Sequence, residues 1–296
     1  MKISTTREEV KDILLRLNVH KASGVDGIPA RILKIYAKDL SWPLTYLFNL
    51  SFTLGEGPSI WKRANITPAF KANAKENLEN YRSISLLSIL GKCQERIVHR
   101  VIFSHVSPFL NNWQLGFVKV HSCITQLVLM HYLWHKALDD GLQVDAVFLD
   151  FAKAFNRMHH KILLNKLCNF GISGSLLEWC SDYLSNRTQR VVIDGYCSSW
   201  LNIPSGVPQG SILGPLFFVI FISDLPEVVS VGNTLAMYAD DCKAFSVISC
   251  PNVQLMFQED LDRLCIWSDQ NRIDFNVKKC KLMRITMKNP LFPTSP

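Results

Sequence analysis

Two adjacent carboxylates, Asp240 and Asp241, sit in the stretch Tyr238-Ala239-Asp240-Asp241, between apolar runs at 234–237 and 244–248. Read locally this is strand, tight turn, strand, with the acids at the turn. Asp is favoured in turns and depleted in strands, so the placement suits them. A further apolar run at 144–149 ends in Asp150. If these runs are neighbours in one sheet, three carboxylates converge at its rim. Like charges about 4 Å apart repel by roughly 4 kcal/mol per pair at an effective dielectric of about 20. A hard divalent cation relieves that repulsion, and carboxylate oxygens are the ligands Mg²⁺ takes. Such a site is what two-metal phosphoryl transfer needs. Taken alone, an Asp-Asp turn is ordinarily a solvated turn, and Asp150 could equally cap a helix beginning near Ala152.

The elements that must position these acids follow from periodicity and breakers. Residues 5–18 predict a helix: Thr5 or Thr6 caps it, and Glu8 and Glu9 lie in the first turn. Val10, Ile13, Leu14 and Leu17 make its apolar stripe. Residues 21–29 are a loop by their Gly, Asp and Pro content. Helices are expected at 30–39 and 43–54, the second ended by Gly55-Glu56-Gly57-Pro58. Residues 61–70 read as extended and 71–80 as a polar loop, and 80–85 lead into a helix running to 101. Residues 110–117 form a connection, and 122–138 a long apolar helix closed by Asp139-Asp140-Gly141.

After the 144–150 strand and the stretch 151–157, helices are expected near 161–170 and 176–185. Strands at 186–192 and 199–203 flank a turn at Asp194-Gly195. The rigid loop Pro204-Ser205-Gly206-Val207-Pro208-Gln209-Gly210-Ser211 opens an apolar helix at 213–224. Residues 253–268 predict a helix with Phe257, Leu261, Leu264 and Cys265 inward. Two short strands at 272–276 and 281–286 and a frayed tail at 289–296 complete the chain. No linker, repeat or low-complexity tract interrupts it. A helical first half followed by mixed strands and helices makes the class α+β.

Composition sets outer bounds. The chain has 296 residues, 48% of them hydrophobic, enough for one large or two modest domains. Only 19% are charged, which excludes wholesale disorder. The net charge of +7 suits a polyanion partner without requiring one. Nine cysteines without a C-x-x-C pair argue against a disulfide framework or a cysteine zinc site and fit a reducing compartment. The polar start Met1-Lys2-Ile3-Ser4-Thr5-Thr6 shows no secretory signal. The longest apolar run, 216–222, is too short to span a bilayer. The expectation is an intracellular protein, in nucleus or cytoplasm, without a membrane partner.

In their order and spacing the motifs resemble one family, the reverse transcriptases of non-LTR (LINE-type, jockey-like) retrotransposons. Lys21 to Pro29 is similar to its K-A-x-G-P-D-G-I-P block, Asn80 to Leu87 to N-Y-R-P-I-S-L-L, and Gln114 to Phe117 to Q-x-G-F. Leu149-Asp150-Phe151-Ala152-Lys153-Ala154-Phe155-Asn156 resembles the first palm motif. Gly206 to Pro215, Tyr238 to Asp241, and Asn276-Val277-Lys278-Lys279-Cys280 resemble the later ones. The resemblance covers nearly the whole chain. It implies the fingers and palm of a right-hand polymerase, with an antiparallel palm sheet backed by helices and no thumb. The fingers region with the N-terminal helices would take 1–140, the palm 141–160 and 205–296, and a fingers or connecting segment 161–204.

The resemblance also implies roles. Asp150, Asp240 and Asp241, with the Phe151 carbonyl, would hold two Mg²⁺ ions, for which Mn²⁺ can substitute. Ala154 and Phe155 fall at nucleotide-binding positions, and the Phe155 ring would crowd a ribose 2′-hydroxyl. Gln209 and Gly210 match the loop under the incoming nucleotide, Arg82 a fingers arginine, and Lys279 a proton donor to pyrophosphate. Outside the family, Phe155 reads as a core aromatic, Gln209 as a turn residue, and Arg82 and Lys279 as solvated charges. His131 and His135 have metal-ligand spacing but lack the H-E-x-x-H context, and His159 and His160 read as structural.

The partners implied are an RNA template, a DNA primer and dNTPs; oligomeric state is not implied. The chain departs from the family at Asn156 (usually Asp), Ser83 and Val25 (usually Pro), and Val118, where a cation is usual. It stops before the thumb and lacks the upstream endonuclease of relatives, so the expectation is a truncated fragment. A catalytically silent relic or domesticated nucleic-acid-binding protein is the alternative function. An RNA-dependent RNA polymerase shares the palm chemistry, but Phe155 argues against it.

Overall fold

The structure, a computed structural model, describes residues 1–116 and 122–287. Phe117, Val118 and the 289–296 tail lie outside the described residues. The chain divides into two compact units, Met1–Val106 with His160–Phe217 and Ser107–His159 with Phe218–Pro296. In chain order, the first unit contributes α1 (Arg7–Leu15), α2 (Ala30–Ile35), α3 (Ala37–Leu54), β1 (Arg63–Phe70), β2 (Tyr81–Leu86) and α4 (Ile89–Val106). The second contributes α5 (Cys123–Asp139), β3 (Gln143–Asp150) and α6 (Ala154–Arg157). The chain then returns to the first through α7 (His160–Asn169), α8 (Ser175–Leu184), β4 (Thr188–Ile193), β5 (Tyr196–Cys197) and β6 (Leu201–Asn202). Helix α9 (Leu213–Phe221) carries the crossing back. The second unit ends with β7 (Thr234–Tyr238), β8 (Asp241–Ile248), α10 (Pro251–Asn271) and β9 (Lys281–Ile285). Among the described residues, no helix is long and apolar enough to cross a membrane.

In the first unit, Thr6 caps α1 by accepting from Glu9 N at 3.2 Å, and Val10 and Leu14 are buried. The helices expected at 30–39 and 43–54 break elsewhere. Tyr36, at φ −94° and ψ 23°, separates α2 from α3, and Pro43 lies inside α3 rather than at its start. An interior proline costs about 3 kcal/mol. The buried face Ala37, Ser41, Leu44, Phe48, Ser51 and Phe52 offsets it. The sheet of this unit runs β2-β1-β4-β5 with β6 on β4; β1 and β4 are parallel. The strand expected at 199–203 shortens to β6, and β5 pairs across the Asp194-Gly195 turn. Buried Glu95 caps α9 from α4, accepting from Ile212 N at 2.6 Å and Leu213 N at 3.1 Å. Burial pushes its carboxyl pKa up, and those two N–H groups pull it down.

The second unit is built on an antiparallel sheet in the order β7-β8-β3-β9. Helix α5 packs on β3 and α10 on β8. Met130, Ala137, Val144, Ala146, Ala236 and Phe245 form a core between α5 and the sheet. The opposite face of β3 carries a buried acid. Asp145 of β3 is buried and takes Arg284 of β9 in a two-pronged pair, Nε to Oδ1 and Nη2 to Oδ2, both at 2.9 Å. Gln143 Nε2 donates to the same Oδ1 at 2.9 Å. Asp145 and Arg284 are register partners, so the pair fixes β9 against β3.

Two expectations fail here. Cys265 is exposed and Leu261 only half-buried; the inward face of α10 is Phe257, Asp260, Leu264, Trp267, Ser268 and Asn271. Residues 272–276 are not a strand: Phe275 alone bridges Phe151.

Candidate active site

Strands β7 and β8 close through the two-residue turn Ala239-Asp240, with Tyr238 paired to Asp241. Ala239 has φ +58° and Asp240 does not follow it to positive φ. That is the φ pattern of a type II′ turn, where glycine usually takes the first central position. An alanine there stores about 1–2 kcal/mol of strain. Residues 113–115 support the turn from β7: Met237 N donates to Trp113 O and Leu115 N to Met237 O, both at 2.9 Å. Gly116 then abuts the turn. A Cβ there would lie 2.1 Å from Ala239 N and 2.8 Å from the Tyr238 carbonyl carbon. Both are backbone atoms, so the clash cannot be relieved by a rotamer. Gly116→Ala is expected to cost about 1–3 kcal/mol, read as a lower melting temperature. An unchanged melting temperature would show that the turn yields freely.

The third acid comes from β3. Asp150 is the register partner of Asp241, and like charges directly opposite destabilise a sheet. Lys279 Nζ stands 2.9 Å from Asp150 Oδ2. Oδ2 is buried, and the Lys279 ammonium is the partner the structure gives it. Burial raises the Asp240 carboxyl above the ordinary range, and the Asp241 and Asp150 charges add to the rise. Its own backbone N–H and Lys279 oppose it. An open depression of about 350 Å³ is lined by Phe148, Leu149, Asp150, Asp241, Cys242, Lys243 and Lys279. Another hollow, at Glu227, Ser230, Arg263 and Trp267, contains one acid and no comparable cluster.

Past Asp150 the chain is tied to 274–276. Ala152 N donates to Asp274 O at 2.8 Å and Asn276 N to Asp150 O at 2.7 Å. Phe151 and Phe275 are therefore a non-hydrogen-bonded antiparallel pair, and the Phe151 carbonyl takes part in neither bond. The buried Phe151 ring stacks on Phe275, centroids 4.8 Å apart. A turn follows, Lys279 N donating to Asn276 O at 2.8 Å, which brings Lys279 to the rim. On α6, Ala154 is buried and the half-buried Phe155 ring lies 5.1 Å from Phe218.

The second unit thus brings Asp150, Asp241 and Lys279 together, with Asp240 in the adjoining turn, Phe151 next along the backbone, and Ala154 and Phe155 on the short helix after it. Arg82, Gln209 and Gly210 belong to the first unit. There Ser85 N donates to Gln209 O at 2.8 Å. A Cβ on Gly210, at φ +124°, would lie 3.0 Å from Ser85 O, so the 205–211 loop lies against β2. Arg82 is exposed on β2. Among the described residues, no three His, Cys, Asp or Glu side chains are placed to hold a metal ion between them. His131 and His135 stack on the exposed face of α5, centroids 6.0 Å apart. His160 Nε2 meets Gly206 O at 2.7 Å, a structural contact.

Sequence reasoning missed the residues that hold the acids. Asp145 was visible as an acid inside an apolar run, a signal that it needs a buried partner. The contact of Gly116 with the turn left no local signal.

Residues 71–290 match the family described as Reverse transcriptase (RNA-dependent DNA polymerase). The RNA-directed DNA polymerase from mobile element jockey of Drosophila melanogaster is 31% identical over 290 residues, 94% of this chain and 31% of that one. The probable RNA-directed DNA polymerase from transposon BS of the same fly is 30% identical over 301 residues, 98% of this chain and 33% of that one. The chain spans about a third of the length of the curated relatives it matches. Among solved structures, an apo telomerase from Candida tropicalis, truncated from its C-terminal domain, has a similar fold. Its TM-score is 0.55 at 13% identity, covering 79% of this chain and 52% of that one. The telomerase of that yeast in complex with a telomeric RNA fragment scores the same, at 11% identity over 83% of this chain and 45% of that one.

Proposed function

The chain belongs to the reverse transcriptase (RNA-dependent DNA polymerase) family, and on that premise we propose that it is the catalytic core of an RNA-directed DNA polymerase. It would extend a DNA primer 3′-hydroxyl with dNTPs along an RNA template. We assign the palm to 141–160 and 205–296 and the fingers to 1–140 and 161–204. The observation that carries the reading is the register: Asp150 faces Asp241 across paired strands, with Asp240 in the turn beside them.

The rim is short of positive charge. Asp150 Oδ2 is buried with the Lys279 ammonium alone against it, and Asp240 is held above its ordinary pKa. The chemistry of these donors suits a hard divalent ion, which would have to draw the three carboxylates closer than they stand. Mg²⁺, with Mn²⁺ as a substitute, would be held by Asp150, Asp240, Asp241 and the Phe151 carbonyl. Bound there, such ions acidify the attacking hydroxyl and neutralise charge on the reacting phosphate. The chain's own residues do the rest. Phe155 would set its ring against the sugar and exclude a 2′-hydroxyl. Ala154, small and buried, leaves room beside it. Arg82 offers a planar cation to phosphate oxygens. Gln209 donates to sugar or phosphate, and Gly210 lets the backbone approach. Lys279 supplies a proton to the leaving pyrophosphate.

Primer extension on an RNA template with dNTPs and Mg²⁺ tests the reading. A chain that binds primer–template with a steep salt dependence but never extends it would instead be a nucleic-acid-binding protein. Phe155→Ala is expected to raise ribonucleotide use relative to dNTP by about 10- to 100-fold, since excluding one small group is worth roughly 1–3 kcal/mol. Matched single-nucleotide incorporation assays with dNTP and NTP give the ratio. No change would return Phe155 to the core.

A further inference from the structure

We propose that Lys279 is a resident counter-ion for Asp150 that a divalent cation must displace, so that metal entry and the freeing of the lysine for the substrate are one exchange. This rests on the polymerase reading of the same site.

The lysine's backbone is fixed while its ammonium is not. Asn276 N is bonded to Asp150 O at 2.7 Å, and Lys279 N and Cys280 N both donate to Asn276 O, at 2.8 and 3.1 Å. Directly after the turn, β9 is locked to β3 by Arg284 on buried Asp145. The Lys279 side chain, by contrast, is 66% exposed. Its contact with Asp150 Oδ2 is a single ion pair at 2.9 Å. Only the lysine end of the pair is exposed; its ammonium can return to water, which leaves the pair open to exchange.

The position of the charge gives the pair its consequence. Asp150 lies opposite Asp241, and the ammonium neutralises one member of that repelling couple. A divalent cation seeking Asp150 meets a like charge already bound to it. Lysine suits such a duty better than arginine would, being a compact, strongly hydrated charge on a flexible stem that lets go without unmaking a planar fork. Once displaced, the ammonium stays tethered at the rim of the depression that it lines with Asp150 and Asp241. There it is free to meet the negative charge of a triphosphate. Lys279 is thus a positioning cation before the substrate arrives and a substrate contact afterwards.

Mn²⁺ binding, followed by the electron paramagnetic resonance signal of the free ion, tests this without any turnover. The chains compared are wild type, Lys279→Met, Lys279→Arg and Asp150→Asn, with folding checked by circular dichroism. Lys279→Met is expected to bind Mn²⁺ about tenfold more tightly than wild type, equivalent to about 1.4 kcal/mol. Lys279→Arg, which keeps the charge, should stay close to wild type, and Asp150→Asn should lose the site. If Asp150→Asn loses binding but Lys279→Met gains none, the counter-ion role is wrong and the polymerase reading stands. If Asp150→Asn binds as well as wild type, the ion does not sit at Asp150, and both readings fall.

Discussion

Asp240→Asn is expected to lower primer extension on the order of 10³-fold while leaving the melting temperature unchanged or higher. The first effect follows from charge. Each carboxylate lost from a two-metal site removes several kcal/mol of stabilisation at the reacting phosphate, and about 4 kcal/mol is a factor of roughly 10³. Asn matches Asp in shape, so the Ala239-Asp240 turn and the support of Gly116 remain. The second effect follows from linkage. Burial raises Asp240 above its ordinary value, and Asp241 and Asp150 raise it further. A carboxyl raised in the folded state contributes stability below its unfolded value, near pH 4, and that contribution is lost as pH rises through the folded value. At neutral pH the ionised group therefore costs stability, and the amide removes the cost. Opposite signs on activity and stability mark a side chain kept for function rather than for folding. Extension assays and thermal melts of the same preparations read both. Wild-type extension by the variant would overturn the catalytic assignment, and a lower melting temperature would overturn the electrostatic account of the rim.

The acids were legible in the sequence because their signals are local. An Asp pair between two apolar runs reads as a turn between strands wherever the strands go, and β7 and β8 pair through a two-residue loop. That Asp150 faces Asp241 was not legible, because the register of β3 against β8 joins residues about ninety positions apart and is set by packing. The same limit explains the misplaced elements. Proline normally starts a helix, which points to a start at 43; the apolar face from Ala37 to Phe52 overrides it. Residues 272–276 have strand composition but only one bridging partner, Phe275 on Phe151. In α10 the spacing of Phe257 and Leu264 points both inward, where both are buried. Apolar periodicity assigns acids to solvent and so places Asp260 outside the core it enters.

Asp260 carries the second large expected effect: Asp260→Ala should destabilise the second unit by about 3 kcal/mol, a fall of roughly 10 °C in melting temperature. Its side chain is fully buried. It accepts from Ser230 N at 3.0 Å, from Asn233 Nδ2 at 2.6 Å, and from Arg263, which also donates to Val228 O at 2.9 Å. Ser230, Asn233 and Val228 lie in the segment that leads into β7, and Arg263 is one turn along α10 from Asp260, so one acid anchors the approach to the hairpin bearing Asp240 and Asp241. Removing it leaves two donors without an acceptor; Arg263, partly exposed, can turn to water, which keeps the cost nearer 3 than 5 kcal/mol. Asp260→Asn keeps the shape and one acceptor and should cost about half as much. Burial pushes the Asp260 pKa up, but the hydrogen bonds from Asn233, Ser230 and Arg263 outweigh it and hold the carboxyl below the ordinary range. A depressed acid contributes stability above its unfolded value, near pH 4, and loses it as pH falls through the folded value. The gap between wild type and Asp260→Ala should therefore be widest at neutral pH and close in acid. A gap that persisted unchanged below that range would mean the loss is one of packing, and that the charge of Asp260 contributes nothing to holding the hairpin in place.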